Sequence, residues 1–350
     1  MKSRRIELDI LRILAAFCIV FFHYEFRGYA KSNMSFLFFP YLKEISKYGY
    51  FAIYTFFMLS AFSMTLTIEN KNSGVKFLYS RIKRLYPTFW VSVGITSAFI
   101  IFLGGGKFSV TPKQFLINLT MLNGFVGVKS VDGVYWFLFV MLRFYFLYSL
   151  LIFFKLTKHL EYIVLLWILL SAILFAFKLN KLSMFIIARY TPFLSAGIVF
   201  ALIKNKGWNV FRTILILLSL FFAFVVLNKE VNKFINHEYK IFFSHTVVYA
   251  FVTVNFLIIG LIASDIINVK TKNSKYIVTL SLATYPMYLL HQYIGFMLFI
   301  KFHTLANKYL LLTLVISFIL SLSLLIVKYI EPIITKYMDK IFYGFIYKNR

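Results

Sequence analysis

Arg12 and His23 are the two residues of this chain whose types and spacing most directly invite chemistry. Both lie in the first hydrophobic segment, Glu7 to Gly28, which reads ELDILRILAAFCIVFFHYEFRG and also carries Asp9 and Glu25. A helix turns 100° and rises 1.5 Å per residue. Eleven residues therefore bring Arg12 and His23 to within about 20° of one face and set them about 16.5 Å apart along the axis. Asp9, three residues before Arg12, is spaced to pair with it and lower the cost of both charges. Ionisable groups at membrane depth are expensive, and where they are kept they line a protein interior or a polar path. An imidazole near neutrality can take a proton from a hydroxyl or carry an acyl group.

Further along, RIKRLYP (Arg81–Pro87) sets Arg81 and Arg84 three apart, a spacing at which two guanidinium forks on one helical face can hold phosphates. The commoner use of such a cluster is as a topology anchor. The run Val131–Tyr145, VDGVYWFLFVMLRFY, places Trp136 where aromatic belt residues sit and Arg143 inside an apolar stretch, where it needs a partner. Leu280–His291, LSLATYPMYLLH, puts a second imidazole in a late apolar segment that Pro286 should kink. His245 and Glu331 fall near segment ends, and His237 and His303 in loops. No Cys/His cluster, HExxH or paired-carboxylate pattern occurs, so no metal is expected; nor does a phosphate-cradling glycine loop.

The elements that must position these residues are membrane helices. The 350 residues are 61% hydrophobic and 14% charged, with a mean hydropathy of +0.81. This composition predicts an all-α, polytopic integral membrane protein. Ten spans are expected, at Asp9–Gly28, Gly49–Ile68, Tyr86–Gly104, Val134–Phe154, Tyr162–Phe177, Met184–Ile203, Phe211–Asn228, Ser244–Ser264, Tyr276–Phe299 and Tyr309–Tyr329. Phe115–Phe125 is too short and polar to cross and reads as interfacial or re-entrant. There is no internal repeat or low-complexity linker, so residues 1–350 read as one membrane domain. Ten spans put both termini on one side, and the excess of Lys and Arg on that side makes it cytoplasmic. The leading MKSRR and apolar run lack a small-residue cleavage site and read as a retained first helix. Cys18 is the single cysteine, so no intrachain disulfide can form. The net charge of +26 serves contact with anionic membrane lipid, or attraction of a polyanionic cosubstrate to one face. Nucleic acid is not an expected partner, because no soluble domain could hold it.

Several of these pieces occur in an order that resembles the acyltransferase-3 family, bacterial integral-membrane O-acyltransferases of cell-surface glycans. LDILRILAAFCIVFFH looks like the family's opening run of Asp, Leu-Arg, an apolar stretch and His. GYFAIYTFFMLSAF (Gly49–Phe62) looks like its Phe-Phe-x-x-Ser-Gly-Phe element, and RIKRLYP like its basic Arg-x-x-Arg-x-x-Pro turn. VDGVYWFL, LSLATYPMYLLH and YIEP (Tyr329–Pro332) resemble the later elements. Ala61 stands where Gly follows Ser60 in the family pattern, and Ser281 and Thr284 stand where Gly and Ser are common. Met141 occupies a place where many members carry Glu, so no role of that carboxylate transfers.

The resemblance implies that His23 is catalytic, with Arg12 and Asp9 as its companions. It implies that Arg81, Arg84 and Ser60 serve an acyl-CoA site, and that Trp136, Arg143, Tyr285 and His291 serve the acceptor. It also implies acetyl-CoA or another acyl-CoA as cosubstrate with no permanently bound cofactor, and a glycan or lipid-linked saccharide as acceptor. Succinyl transfer stays open, and the place would be the inner (plasma) membrane as a multi-pass protein. The rival reading is a transporter or flippase of lipid-linked sugars, where intramembrane Arg and His are also expected. No inverted repeat or matched pair of interrupted helices supports that rival.

Overall fold

The computed structural model describes residues 4–31, 34–67 and 73–348. Among these the chain is helical, with no β-strand. In order the helices are α1 (Ile6–Phe21), α2 (Gly28–Ala30), α3 (Lys43–Ser46), α4 (Ala52–Leu66), α5 (Gly74–Leu103), α6 (Pro112–Leu119) and α7 (Trp136–Phe153). They continue as α8 (Leu160–Ala176), α9 (Asn180–Phe185), α10 (Thr191–Lys206), α11 (Val210–Lys233), α12 (His245–Ala263), α13 (Ser274–Phe302), α14 (Lys308–Leu325) and α15 (Glu331–Lys348). Seven helical stretches among the described residues are long and apolar enough to cross a bilayer: Lys43–Leu66, Gly74–Leu103, Gly133–Phe153, Leu156–Ala176, Val210–Glu238, His245–Ala263 and Lys308–Phe342. Ile68, the expected end of the second span, lies outside the described residues.

Three expectations about local structure are corrected. Met184–Ile203 is not one helix: Ile187 adopts φ +56°, and α10 starts only at Thr191, with Pro192 in its first turn. Thirteen consecutive α10 residues from Thr191 to Ile203 are buried. A helix apolar on every side belongs inside protein, and hydropathy alone does not separate such a core helix from a lipid-facing one. RIKRLYP is not a turn either. It lies within the thirty-residue α5, which runs through Pro87. Finally, the 100° ruler applied between Arg12 and His23 holds only to Phe21, because the backbone winds as a π-helix over Phe22–Arg27. Single π-turns inside helices are rare and concentrate at functional sites.

The chain divides into two compact units. The first comprises the described residues within Met1–Ile19, Tyr48–Phe77 and Val140–Ser274. Its tightest seam joins α4 to α10, where a Cβ on Gly197 would sit 2.3 Å from the Met58 carbonyl oxygen and 2.8 Å from the Ala61 Cβ. The methyl group of Ala61 is thus accommodated by a glycine on the facing helix. Several buried polar side chains of this unit are paired. Glu230, 2% exposed, pairs with Arg189 and accepts from the Tyr50 hydroxyl, and Thr55 donates to Asn255. A cavity of about 340 Å³, lined by apolar and aromatic side chains including Phe144, Tyr148, Leu160, Trp167 and Ile198, opens among α7, α8 and α10.

The second unit comprises the described residues within Val20–Lys47, Leu78–Phe139 and Lys275–Arg350. Here α13 is the central element. Fifteen of its residues are buried, among them the run from Pro286 to Gln292. Gly295 lets Tyr24 approach α13 closely: a Cβ there would lie 2.3 Å from the Tyr24 hydroxyl oxygen and 2.4 Å from its ring. Tyr24 is fully buried and packs edge-on against Phe299, so its ring has no room to retreat. Gly295→Ala is therefore expected to destabilise the protein by about 1–3 kcal/mol through overpacking. Gly94→Ala, whose Cβ would meet nothing within 4 Å, should cost nothing or stabilise slightly. Thermal unfolding of both variants in detergent checks this, and equal melting temperatures for the two would contradict the packing account.

Candidate active site

In the second unit, the π-helical segment carries His23 at 7% exposure, and five consecutive residues from Phe22 to Phe26 are buried. Continuous burial over more than one turn means that protein surrounds this segment on every side. His23 Nδ1 lies 3.1 Å from Nε2 of His291, and the two rings meet edge to face with centroids 4.7 Å apart. His291 is 0% exposed, and its Nδ1 faces two backbone carbonyls of its own helix, Tyr288 O at 2.7 Å and Met287 O at 3.2 Å. The His291 carbonyl in turn accepts from the Tyr24 hydroxyl at 2.7 Å. Two imidazoles that sequence spacing could not relate thus form one buried pair.

Other motif residues close around α13. The Tyr288 hydroxyl donates to Val134 O at 2.8 Å, and its ring meets Phe137. The Tyr285 hydroxyl donates to Leu85 O on α5 at 2.9 Å, next to Arg84. Thr88, one residue after Pro87, donates to Glu331 at 3.0 Å. Lys83 and Tyr79, one helical turn apart, both bond Asp339 on α15. Arg81 and Arg84, three residues apart on the helical α5, share a face as the spacing implies, Arg81 half-buried and Arg84 exposed. Trp136 opens α7 half-buried, against Phe137.

Three residues of this unit escaped the sequence reading. Asp132, fully buried, caps the turn before α7 by accepting from Val134 N at 3.1 Å, and it also accepts from Tyr293 N on α13 at 2.9 Å. Its Asp-Gly position ahead of a helix was a legible cap signal. Gln292, 1% exposed, packs against Gly133, and its Nε2 has no hydrogen-bond partner among the described residues. Such an orphan donor costs about 1–3 kcal/mol unless a further group satisfies it. Tyr24, beside His23, carried no periodic signal at all.

The remaining expected site residues belong to the first unit. Asp9 is fully buried and is held by two arginines, Arg4 at 2.7 Å and Arg12 at 2.9 Å, and Arg12 also donates to Ser63 on α4. The expected i, i+3 pair between Asp9 and Arg12 forms. Ser60 is half-buried on α4. Arg143, for which the sequence named no partner, donates to the Met184 carbonyl in the stretch before α10. Among the described residues no group of three or more His, Cys, Asp or Glu could hold a metal ion.

Burial pushes the Asp132 carboxyl up to about 7, against the lowering influence of the Tyr293 and Val134 amides and the charge of Arg27. A carboxyl raised in the folded state binds its proton more tightly there than in the unfolded chain. The associated stability is fully present below the ordinary value of 3.8 and is lost as pH rises through about 7. The wild-type protein should thus lose stability on the order of a few kcal/mol between pH 4 and 7, and Asp132→Asn should flatten that slope. Melting temperatures across this range check it; equal slopes in the two proteins would refute the assignment.

A family model described as an acyltransferase domain matches residues 5–330, essentially the whole chain. No curated protein and no solved structure matches. The matched region takes in the histidine pair, the basic turns of α5 and the Asp132 cap together, and the chain belongs to the acyltransferase-3 family.

Proposed function

We propose that this protein transfers an acyl group, most simply acetyl, from cytoplasmic acyl-CoA to a hydroxyl of a cell-surface or lipid-linked polysaccharide such as O-antigen, capsule or exopolysaccharide. The observation that carries this reading is the buried His23–His291 pair in a chain of an acyltransferase family. His23 takes the proton of the acceptor hydroxyl as its oxygen attacks the thioester carbonyl; the carbon–sulfur bond breaks and CoA leaves as the thiol. Alternatively the imidazole attacks first and passes the acyl group on, a ping-pong route that a burst of CoA release without acceptor would reveal.

In this reading Arg81 and Arg84 hold the phosphates of CoA, while Lys83 is committed to Asp339, and Ser60 keeps the donor-binding role that the resemblance implies. Arg12, its charge balanced by Asp9, contacts the donor arm. Trp136, Arg143 and Tyr285 are, as the family resemblance implies, the residues that serve the saccharide. Tyr285 offers its ring, since its hydroxyl is bonded to the Leu85 carbonyl. The protein would sit in the inner (plasma) membrane as a single acyltransferase domain of about ten spans, with both termini in the cytoplasm.

His23→Ala should abolish ester-linked acyl groups on the surface polysaccharide while the protein still inserts. Mass spectrometry of the polysaccharide before and after mild alkali reads this directly, and wild-type acylation in the variant would refute the reading. Arg81→Ala combined with Arg84→Ala should raise the KM for acyl-CoA about tenfold or more, as loss of charge-assisted contacts to phosphate does. An equal rise for the acceptor would assign the two arginines to folding instead.

A further inference from the structure

We infer that His291 is a positioning residue that fixes the tautomer of His23, keeping the proton of the neutral His23 ring on Nδ1 and its lone pair on Nε2. The inference rests on the reading of His23 as the base and adds which of its atoms does the work. The backbone of α13 fixes the first proton of the pair. A carbonyl oxygen only accepts, so the His291 Nδ1 that faces Tyr288 O at 2.7 Å and Met287 O at 3.2 Å carries a hydrogen. In a neutral ring the other nitrogen is then an acceptor. That nitrogen, Nε2, lies 3.1 Å from His23 Nδ1, which must therefore be the donor. The chain of assignments ends with the lone pair of His23 on Nε2, the atom able to receive the hydroxyl proton or attack a thioester.

The opposite arrangement needs a doubly protonated His291 donating to His23 Nδ1. A charged ring at 0% exposure opposes that arrangement. The orienting ring is itself held, because the Tyr24 hydroxyl bonds the His291 carbonyl and Tyr24 is wedged against Gly295. When His23 Nε2 takes the hydroxyl proton, the ring becomes cationic and its Nδ1–H bond to His291 becomes charge-assisted. The contact then strengthens as charge develops, which is the moment when it accelerates reaction.

The test is nitrogen NMR of the full-length protein in lipid nanodiscs with ring-labelled histidine, the His23 signals identified by their absence in His23→Ala. The expected result is a protonated Nδ1 and an unprotonated Nε2 on His23. In His291→Leu the His23 ring should redistribute between tautomers, with kcat falling about 10²-fold to 10⁴-fold and the KM for acyl-CoA nearly unchanged. His291→Gln, whose Oε1 can accept where Nε2 did, should hold the tautomer and recover most of kcat. A wild-type His23 proton on Nε2, or a tautomer unchanged in His291→Leu, overturns the inference. The expected tautomer in a wild-type protein that transfers no acyl group upholds the pairing and overturns the acyl-transfer reading instead.

Discussion

The hydrogen bond between His291 and His23 is the contact around which the second unit is arranged. It joins the π-helical continuation of the first helix to the middle of α13. Polar atoms with no water to fall back on must find partners within the protein, and α13 meets that demand with its own backbone. The carbonyls of Met287 and Tyr288 serve His291, the carbonyl of His291 serves Tyr24, and the amide of Tyr293 serves Asp132. Consecutive turns of one helix thus anchor side chains from the first helix and from the loop before α7. Pro286, immediately before this stretch, has no backbone N–H and so leaves one carbonyl of the preceding turn without its usual helical donor.

The first unit solves the same problem with charge pairs. Asp9 is shared by two arginines, Glu230 by Arg189 and Tyr50, and Arg212 by Glu161 and the carbonyls of Lys206 and Gly207. Removing one member of a buried pair leaves an uncompensated charge, which costs far more than the pair gains over an apolar replacement. These groups therefore hold the unit in one arrangement more than they add to its net stability. At the edge of the unit, Asp265 draws in Arg5 and Lys204, and those cations hold its carboxyl below the usual range.

Much of this could be read from sequence where the signal was local. The Asp9–Arg12 pair followed from i, i+3 spacing, and Arg81, Arg84, His23 and His291 stood out as charges or imidazoles in apolar runs. The helical class followed from composition. What failed was non-local or depended on winding. The meeting of His23 with His291 is a contact across 268 positions that no periodicity encodes. The π-turn at Phe22 undoes a ruler that assumed regular α-helix. Hydropathy placed α10 too early, since apolar residues before a break look the same as those after it; the break shows only as a left-handed residue at Ile187. The Asp-Gly step marks Asp132 as a helix cap, but its full burial against α13 is a non-local contact that the sequence does not show.

In the proposed reaction the acyl group of the donor must reach the imidazole pair of the second unit. Photolabelling of the membrane-embedded protein with an acyl-CoA whose acyl chain carries a diazirine, followed by peptide mapping, measures this most directly. Labels on Phe22–Arg27 and on α13 around Tyr288–Tyr293, suppressed by unlabelled acyl-CoA, are the predicted result. Labels confined to the apolar cavity among α7, α8 and α10, or unaffected by competitor, would contradict it.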